Sequence, residues 1–577
     1  MDEPTPPADD SARDSAPDKA RDTDGARLTR PDGALSLWQR ISHGMDKVIW
    51  RTPLYGLRLR GKPALQLRAV PEDPVPGDLA AGMAILEGRI DLDGESIDLA
   101  TLDFTRLAMT PVMADYVHSF AWLRDLAAAG HAAEAVPIAQ YILSRWLLIH
   151  GRVVSEPAWR PDLCGRRIMF WSAYAPLILA TEDAAFRGNV LNALSRTAHH
   201  LEGSAGRTPA GLPRIAAWAG LAGASLLLAG IESRTDRAEA GLARALEISL
   251  HSDGGIVSRS PADQLALVDI LALLVSAYQA VEAEAGRTIV TLARAAAAAA
   301  GVTLGDRRLS SWQGGRPVDA RPVLSIFEEG TLAPLMQARD WGYQRMAGGA
   351  TIVVLDAAPP PTGTVTGGGC ASTLAFEMSD GAHRLIVNCG RTVAFGADVA
   401  QSLRSTAAHS TVTLADLSST AVHPDGSLGR GVSEVQVDRQ ETDMGSRVDA
   451  THEGYVRKLG FVHQRQLALR GDGRELRGDD VFTPAGSRKR AEATQATARF
   501  HLAPGIEATQ TADGLGALLR IPGGPLWQFR CRGGDLALDE SLWVDGNGRP
   551  QGTTQLVVTT TVPAEGLTLS WMLRRAG

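Results

Sequence analysis

The first half of the chain has the hydrophobic period of helices. From about Tyr116 to Gly301, apolar residues recur at spacings of three and four, as in Phe120, Leu123 and Leu126, which is the period of an amphipathic helix. Gly, Pro and short polar residues predict breaks at Gly130 and at 161–165, 181–183, 203–213, 230–235 and 253–261. The pattern therefore predicts seven or eight helices, each long enough to pair antiparallel with its neighbour.

The second half of the chain has the period of strands. After about Arg321 the apolar spacing falls to two, and near the end Leu567, Leu569, Trp571 and Leu573 alternate with Thr568, Ser570 and Met572. Further strands are expected at 385–387, 412–414, 500–502 and 556–562. Short strands separated by Gly-rich turns are typical of an antiparallel β-sandwich. We therefore predict a multidomain α+β chain, with a helical domain at 36–310 and a sandwich at 320–577.

Residues 1–35 differ from both halves. They are acidic and rich in Pro, Asp, Ser and Ala, with no apolar stretch of seven or more residues, so we expect a disordered tail and not a signal peptide. No run of 18 uninterrupted apolar residues occurs elsewhere, so we expect no membrane span. These features favour a soluble, cytoplasmic protein.

Composition and charge exclude several classes of protein. The chain is 44% hydrophobic and 21% charged, as in ordinary globular proteins. Its net charge of -7 provides no global basic field, so a general nucleic-acid binder is not expected. Its four cysteines lack zinc-like spacing and are too few for a disulfide framework, so free thiols are expected. The sequence does not determine the oligomeric state.

Seven short segments form an ordered set. They are DGGIVSRSP at 253–261, GYQRM at 342–346, LAFEMSDG at 374–381, RLIVNCG at 384–390, AHSTVTLAD at 408–416, HEGY at 452–455 and HQR at 463–465. Each is weak alone, but as a set they resemble the heparinase II/III family of polysaccharide lyases. The resemblance covers most of the chain after about residue 36.

This resemblance implies an incomplete α/α toroid followed by an antiparallel β-sandwich, with a substrate cleft between them. It also implies β-elimination at a uronic acid within an acidic polysaccharide. That reaction needs a group that neutralises the uronate, a base, and a proton donor for the leaving oxygen. An acidic polymer also needs basic side chains along the cleft. The candidates for substrate binding are Arg166, Arg167, Trp171, Arg259, Arg345 and Asn388, with Arg404 as a further basic side chain.

The sequence departs from the family pattern at its catalytic positions. The family's tyrosine is absent from the stretch 258–264, and its two histidines are absent from 369–373. Of the positions the resemblance assigns to a metal, His409 matches, while Asn388 stands where an aspartate is usual. One ligand of three does not make a zinc site, so no cofactor is expected, although a metal in the sandwich is retained as an alternative.

His409 and Tyr174 are the candidate catalytic residues. His409 enters an alternating strand and is a candidate base, ligand or simple hydrogen-bond partner. Tyr174 follows the Arg166–Arg167 pair and Trp171, which is a candidate for stacking on a sugar ring. Each assignment has a structural alternative. Trp171 and Tyr174 fit one buried helix face, Arg259 fits a cap or an interdomain ion pair, and Arg345 fits a structural role in the first hairpin.

Three functions follow from these observations. The first is a polysaccharide lyase that eliminates at a uronate within an acidic polysaccharide. The second is a catalytically silent glycan-binding or scaffolding protein that kept the fold, because the usual tyrosine and histidines are missing. The third is hydrolysis by paired carboxylates, for which Asp253 and Asp263 are available but are not placed opposite each other by any sequence feature.

Overall fold

The chain forms helices first and strands second, as the hydrophobic periods predict. The computed structural model describes residues 26–29, 59, 66–105, 108–361, 368–486 and 491–576. Fourteen helices lie in this part of the chain: Leu79–Leu86, Pro111–Ser119, Trp122–Ala129, Ala132–His150, Pro161–Ala173, Ala175–Ile178, Ala184–Ser204, Leu212–Leu227, Thr235–Ser249, Pro261–Ala280, Arg287–Gly301, Arg321–Leu324, Ala397–Ser402 and Val456–Leu459. The helical array followed by antiparallel sheets confirms the predicted fold class.

The helical half is divided more finely than the sequence predicts. Ten of the described helices lie between Pro111 and Gly301, where seven or eight were expected. The break predicted across 161–165 is wrong, because Pro161 occupies the first turn of a helix that continues through Gly165 to Ala173. Proline suits that position because its missing N–H has no partner there in any helix.

Gly165 and Gly220 permit the close crossing of two helices. A Cβ atom added to Gly220 would lie 2.1 Å from Gly165 Cα, and one added to Gly165 would lie 2.0 Å from Ala216 O. The helices Pro161–Ala173 and Leu212–Leu227 therefore touch backbone to backbone. Glycine was read as a helix breaker at position 165, but its role there is to allow this approach.

Nineteen strands form three sheets within the described residues. They are β1 (Ala26–Thr29), β2 (Arg89–Leu92), β3 (Glu95–Asp98), β4 (Tyr343–Gly348), β5 (Thr351–Asp356), β6 (Phe376–Asp380), β7 (His383–Val387), β8 (Val412–Leu414), β9 (Glu434–Thr442), β10 (Gly445–His452), β11 (Phe461–Arg470), β12 (Glu475–Pro484), β13 (Thr494–Leu502), β14 (Glu507–Gln510), β15 (Gly516–Arg520), β16 (Leu526–Arg532), β17 (Asp535–Val544), β18 (Pro550–Val562) and β19 (Leu567–Arg575). The nine-stranded sheet has the order β1-β9-β10-β11-β12-β19-β16-β15-β14. The eight-stranded sheet has the order β17-β18-β13-β7-β6-β5-β4, with β8 also paired to β13. The small third sheet is the hairpin β2-β3.

Strand β1 lies inside the segment that was predicted to be a disordered tail. It pairs antiparallel with β9, with Ala26 opposite Val437 and Thr29 opposite Glu434, and Leu28 belongs to the sandwich core. The tail prediction is therefore wrong for these four residues, because the free edge of β9 offers backbone hydrogen bonds to any extended segment. The rest of the segment 1–35 lies outside the described residues.

Two large hydrophobic clusters fill the molecule. One fills the toroid and extends to Trp312, Trp341 and Tyr343 at the start of the sandwich half, and the other lies in the sandwich. All four cysteines are free and buried. One described helix, Pro261–Ala280, has the length and apolar composition of a membrane span, but 72% of its apolar window is buried inside the protein, as in a core helix.

We predict that Gly220→Ala lowers the free energy of unfolding by about 1–3 kcal/mol, because the new methyl group would collide with backbone. The matched control is Gly188→Ala in the helix Ala184–Ser204, where an added Cβ meets no atom within 4 Å. The control should raise stability by up to about 1 kcal/mol through helix propensity. Urea unfolding followed by circular dichroism measures both changes, and equal stabilities of the two variants would contradict the close crossing.

Candidate functional site

A buried ion pair joins the helical half to the eight-stranded sheet. Arg259 lies in the loop before the helix Pro261–Ala280, and its Nη2 donates to Asp356 Oδ1 at 2.5 Å. Asp356, at the end of β5, also accepts a hydrogen bond from Ser372 Oγ at 2.6 Å. Arg259 Nε donates to Trp341 O at 2.8 Å. The guanidinium group of Arg259 therefore binds the protein itself, which is the interdomain alternative that the sequence left open.

The backbone and the ring beside Arg259 hold it in place. Its φ is 54°, a left-handed conformation that costs energy for a residue with a side chain. Tyr343 Oη donates to Arg259 O at 2.6 Å, and the guanidinium carbon lies 4.7 Å from the centre of the Tyr343 ring. Arg259 is only 4% exposed. These contacts fix the side chain in its ion pair and leave it no room to reach a glycan.

Asn388 is held by Glu377, a residue that the sequence analysis missed. The carboxylate of Glu377 accepts hydrogen bonds from Ser311 N, Asn388 N and Asn388 Nδ2 at 3.0 to 3.1 Å. Burial raises the pKa of Glu377, while Arg384 at 3.1 Å partly offsets this effect. Asn388 Oδ1 accepts from Ser410 N at 2.9 Å. Both polar atoms of the Asn388 side chain are thus engaged within the protein.

His409 is the residue next to Ser410, which belongs to this network. It is 2% exposed, and its Nδ1 lies 2.7 Å from Ser405 O. A carbonyl oxygen only accepts hydrogen bonds, so we assign the ring proton to Nδ1. Burial lowers the pKa of His409 to about 4. The ring lines a small cavity of about 20 Å³ together with Cys370, Arg391 and Arg404.

The positions that the resemblance assigns to a metal do not form a metal site. Asn388 Oδ1, the atom that would bind a cation, already accepts from Ser410 N. Across the described ranges, no group of three or more His, Cys, Asp or Glu side chains has the arrangement of a metal site. The residues near His409 therefore do not fit the family's metal, and we derive no chemistry from one.

Arg345 and the two candidate carboxylates also make structural contacts. Arg345 on β4 donates to Gly301 O at 3.3 Å and to Thr303 O, at the end of the last toroid helix. Asp253 accepts from Asp340 N and Trp341 N at 2.9 and 2.8 Å. Asp263 accepts from Ser258 Oγ at 2.7 Å. Nothing in these contacts supports hydrolysis by a facing pair of acids.

Arg167 and Trp171 belong to the core of the toroid. Arg167 is 1% exposed, donates to Ala158 O at 2.7 Å, and lies 4.6 Å from the centre of the Trp146 ring. Trp171 is fully buried and packs edge-on against Phe120, with ring centres 5.0 Å apart. The sequence analysis assigned these two residues to substrate binding. The structure does not agree, because neither side chain has a surface that a sugar could contact. A helical period of three and four is also typical of a buried helix face, and that is the role of these residues here.

Tyr174 and Arg166 lie near a second polar cluster in the toroid. Tyr174 Oη donates to Asp73 Oδ2 at 2.9 Å, and Arg124 bridges Asp73 and Asp269 at 2.8 and 2.6 Å. Burial, followed by the charge of Asp73, raises the pKa of Tyr174. Arg166 is partly exposed and lines a narrow cavity of about 10 Å³ with Asp269.

The structure thus separates the candidate residues into two groups. Arg259, Asn388, His409 and Arg345 gather on or beside the eight-stranded sheet, and the residues between 166 and 174 lie in the toroid. In the part of the chain that the structure describes, no hydrogen bond or ion pair joins His409 to Tyr174. The sequence placed both in one catalytic site, but this structure does not bring them into contact.

An exposed loop after β7 carries surface that the sequence analysis overlooked. Val393 is 58% exposed and Phe395 is 56% exposed. Arg391, at the start of this loop, lines the cavity beside His409. Arg404 faces the same cavity but donates to Gly369 O and Gly426 O at 2.7 and 2.6 Å. The sequence signal was the consecutive apolar run Val393, Ala394 and Phe395 before Gly396, outside any predicted helix or strand.

Comparisons with known proteins agree with this architecture. The Heparinase II/III-like, C-terminal family model matches residues 330–572. FtsZ-localized protein C of Caulobacter vibrioides is 30% identical over 537 residues, which cover 88% of this chain and 90% of that protein.

Solved lyase structures share the fold at low identity. The crystal structure of heparinase III superposes with a TM-score of 0.65 at 12% identity, covering 93% of this chain and 90% of that one. A mutant of heparan sulfate lyase HepC from Pedobacter heparinus superposes with a TM-score of 0.61 at 15% identity, covering 90% and 87%. The chain belongs to the heparinase II/III-like family and has the toroid-and-sandwich fold of polysaccharide lyases.

We predict that Asp356→Asn lowers the free energy of unfolding by about 3–5 kcal/mol, because it leaves the buried Arg259 charge without its partner. The matched control is Glu329→Gln, which removes an exposed pair with Arg307 in which the two side chains are 69% and 90% exposed. The control should change stability by less than about 1 kcal/mol. Denaturant unfolding measures both, and a mild effect of Asp356→Asn would show that the ion pair does not hold the two halves together.

Proposed function

We propose that this protein is a non-catalytic scaffold that keeps the polysaccharide-lyase fold and associates with FtsZ. One structural observation carries the non-catalytic part of this proposal. His409, which matches the family pattern, and Asn388, which stands where an aspartate is usual, are both buried and hydrogen-bonded within the protein. The association with FtsZ is supported by the relationship to FtsZ-localized protein C, which extends over most of both chains.

The acid–base chemistry also disfavours elimination. A base that removes the proton next to a uronate should have a pKa near the working pH. The pKa of His409 is about 4, so the ring is neutral but only weakly basic at pH 7. Tyr174 has a raised pKa, so its hydroxyl stays protonated, and it donates to Asp73. Neither group is poised to accept the proton.

A scaffolding role also agrees with the expected location and partners. A protein that associates with FtsZ has to share its compartment, so we propose the cytoplasm, which is the location expected from the sequence. Binding of an acidic glycan without turnover remains part of this proposal, because the fold is that of polysaccharide lyases. The proposal requires no metal and no cofactor.

We predict that the full-length protein pellets with polymers of its cognate FtsZ and stays in the supernatant without them. The reason is the extensive relationship to an FtsZ-localized protein. Sedimentation of the purified proteins, with FtsZ held unpolymerised as one control and heparinase III as a control for the fold, makes the measurement. Equal pelleting of heparinase III, or no pelleting of this protein, would contradict the association.

The second candidate function is β-elimination on an acidic polysaccharide. What favours it is the cavity at His409, which is flanked by Arg391 and Arg404 on a lyase fold. These cations are of the right sign to attract a uronate, although Arg404 is already bound to two carbonyl groups.

We predict that the wild-type protein and His409→Ala both give no unsaturated product from heparan sulfate, chondroitin sulfate, alginate or pectate. Ultraviolet absorbance of the new double bond measures turnover, with and without a chelator, and heparinase III on heparan sulfate is the positive control. Product from the wild type that disappears in His409→Ala would overturn the non-catalytic proposal and identify His409 as part of relocated machinery. A loss of product with the chelator would add a metal to that machinery.

A further inference from the structure

A groove on the sandwich half lies apart from the buried residues near His409. It encloses about 630 Å³, against about 20 Å³ for the cavity at His409. Its walls come from the segments 417–419, 429–433 and 453–458, all of them in the sandwich half. We call it the outer groove. Its size suits several residues of an extended chain and exceeds what an ion or a single sugar needs.

The outer groove is positively charged. Arg430, Arg457 and Lys458 line it, and all three are exposed. Within the described residues, none of the ion pairs or side-chain hydrogen bonds involves these three side chains. The only acidic residue in the lining is Glu453. An anionic ligand would therefore meet three cations that form no ion pair with any carboxylate among the described residues.

Glu453 is held in place by the backbone of the groove wall. Its Oε1 accepts from Ser433 N at 2.6 Å and from Glu434 N at 3.2 Å, which fixes the side chain. Its Oε2 is buried and has no hydrogen-bond partner. A buried carboxylate oxygen without a partner is costly. The fixed carboxylate of Glu453 lies at the protein side of the groove and leaves the three cations as the groups that a ligand meets.

The shape of the groove is fixed by close backbone packing. A Cβ atom added to Gly454 would lie 2.6 Å from Ser419 O. The segments around Ser419 and Gly454, which both line the groove, are therefore in close backbone contact. Leu417 and Val456 supply apolar lining between the charged groups. A groove of this kind is formed before any ligand binds.

We propose that the outer groove binds an acidic peptide segment of a partner protein. Carboxylate side chains of the peptide would pair with Arg430, Arg457 and Lys458. Apolar side chains of the peptide would contact Leu417 and Val456. A glycan fits less well, because the aromatic residue in the lining, Tyr455, is 1% exposed and offers no face to a sugar ring.

This inference names a surface and a ligand chemistry that the scaffold proposal leaves undefined. The probe is a fluorescein-labelled peptide of Glu, Leu and Ser residues, and its counterpart has Gln in place of Glu. Fluorescence anisotropy with the full-length protein measures binding. The groove variant is Arg430→Gln, Arg457→Gln and Lys458→Gln combined. The control variant, Arg244→Gln, Arg287→Gln and Arg294→Gln combined, removes the same charge from exposed arginines of the toroid.

The expected result is binding of the Glu peptide but not of the Gln peptide, weakened by salt as exposed ion pairs are. The groove variant should bind about tenfold more weakly than the wild type, and the control variant as tightly as the wild type. No binding by the wild type, or equal loss in both variants, would overturn the proposal. Loss of heparin oligosaccharide binding in the groove variant, without any peptide binding, would make the ligand a glycan and also overturn it.

The same proteins separate this inference from the proposed function. Peptide binding at the groove without pelleting with FtsZ would overturn the FtsZ association and leave the groove proposal standing. Pelleting with FtsZ by a wild-type protein that binds no peptide would overturn the groove proposal alone. Circular dichroism of both variants shows whether they fold as the wild type does.

Discussion

The buried ion pair between Arg259 and Asp356 is the interaction on which the junction of the two halves depends. Removing two charges from water is favourable only when both are fully paired and hydrogen-bonded. Arg259 meets this requirement with Asp356, Trp341 O and Pro359 O, and Asp356 with Ser372 Oγ. The loop before one toroid helix and the end of one sandwich strand are thereby fixed against each other.

The same rule governs the neighbouring residues. Glu377 is fully buried and accepts hydrogen bonds from N–H groups of Ser311 and Asn388. Asn388 in turn accepts from Ser410 N, next to His409. Ser311 N, the Glu377 carboxylate, the Asn388 side chain and Ser410 N thus pair with one another, which is how buried polar groups are accommodated. Groups that pair with one another in this way are poorly placed to bind a uronate, which supports the proposal that the protein is not a lyase.

Charged side chains without an ion-pair partner among the described residues are found instead at the surface of the sandwich. Three exposed cations, Arg430, Arg457 and Lys458, line the outer groove. Phe395 and Val393 are exposed on the loop after β7. The exposed cations and apolar side chains that a ligand could contact therefore lie outside the junction. This arrangement supports the proposed binding of other proteins more than the enclosure of a polysaccharide.

Much of the fold follows from local patterns in the sequence. The helical period predicted the toroid helices, and the period of two predicted strands such as β7 and β19, because a face that must be buried repeats at the spacing of its backbone geometry. The ordered short segments indicated the family. Helix ends were less accurate, since Pro161 and Gly165 break helices in general but start and pack one here.

The candidate site was predictable only in part, because its chemistry depends on residues that are distant in sequence. The sequence named Arg259, Asn388 and His409, but the partner of Arg259 is 97 residues away, and neither Asp356 nor Glu377 was recognised. It also placed Trp171 at a substrate surface, although Phe120 and Trp146 cover its ring. The sequence by itself determined the elements and the family, because these depend on local periodicity and short motifs. The tertiary structure alone decided which polar groups are buried and paired, because burial and pairing are set by contacts between distant segments.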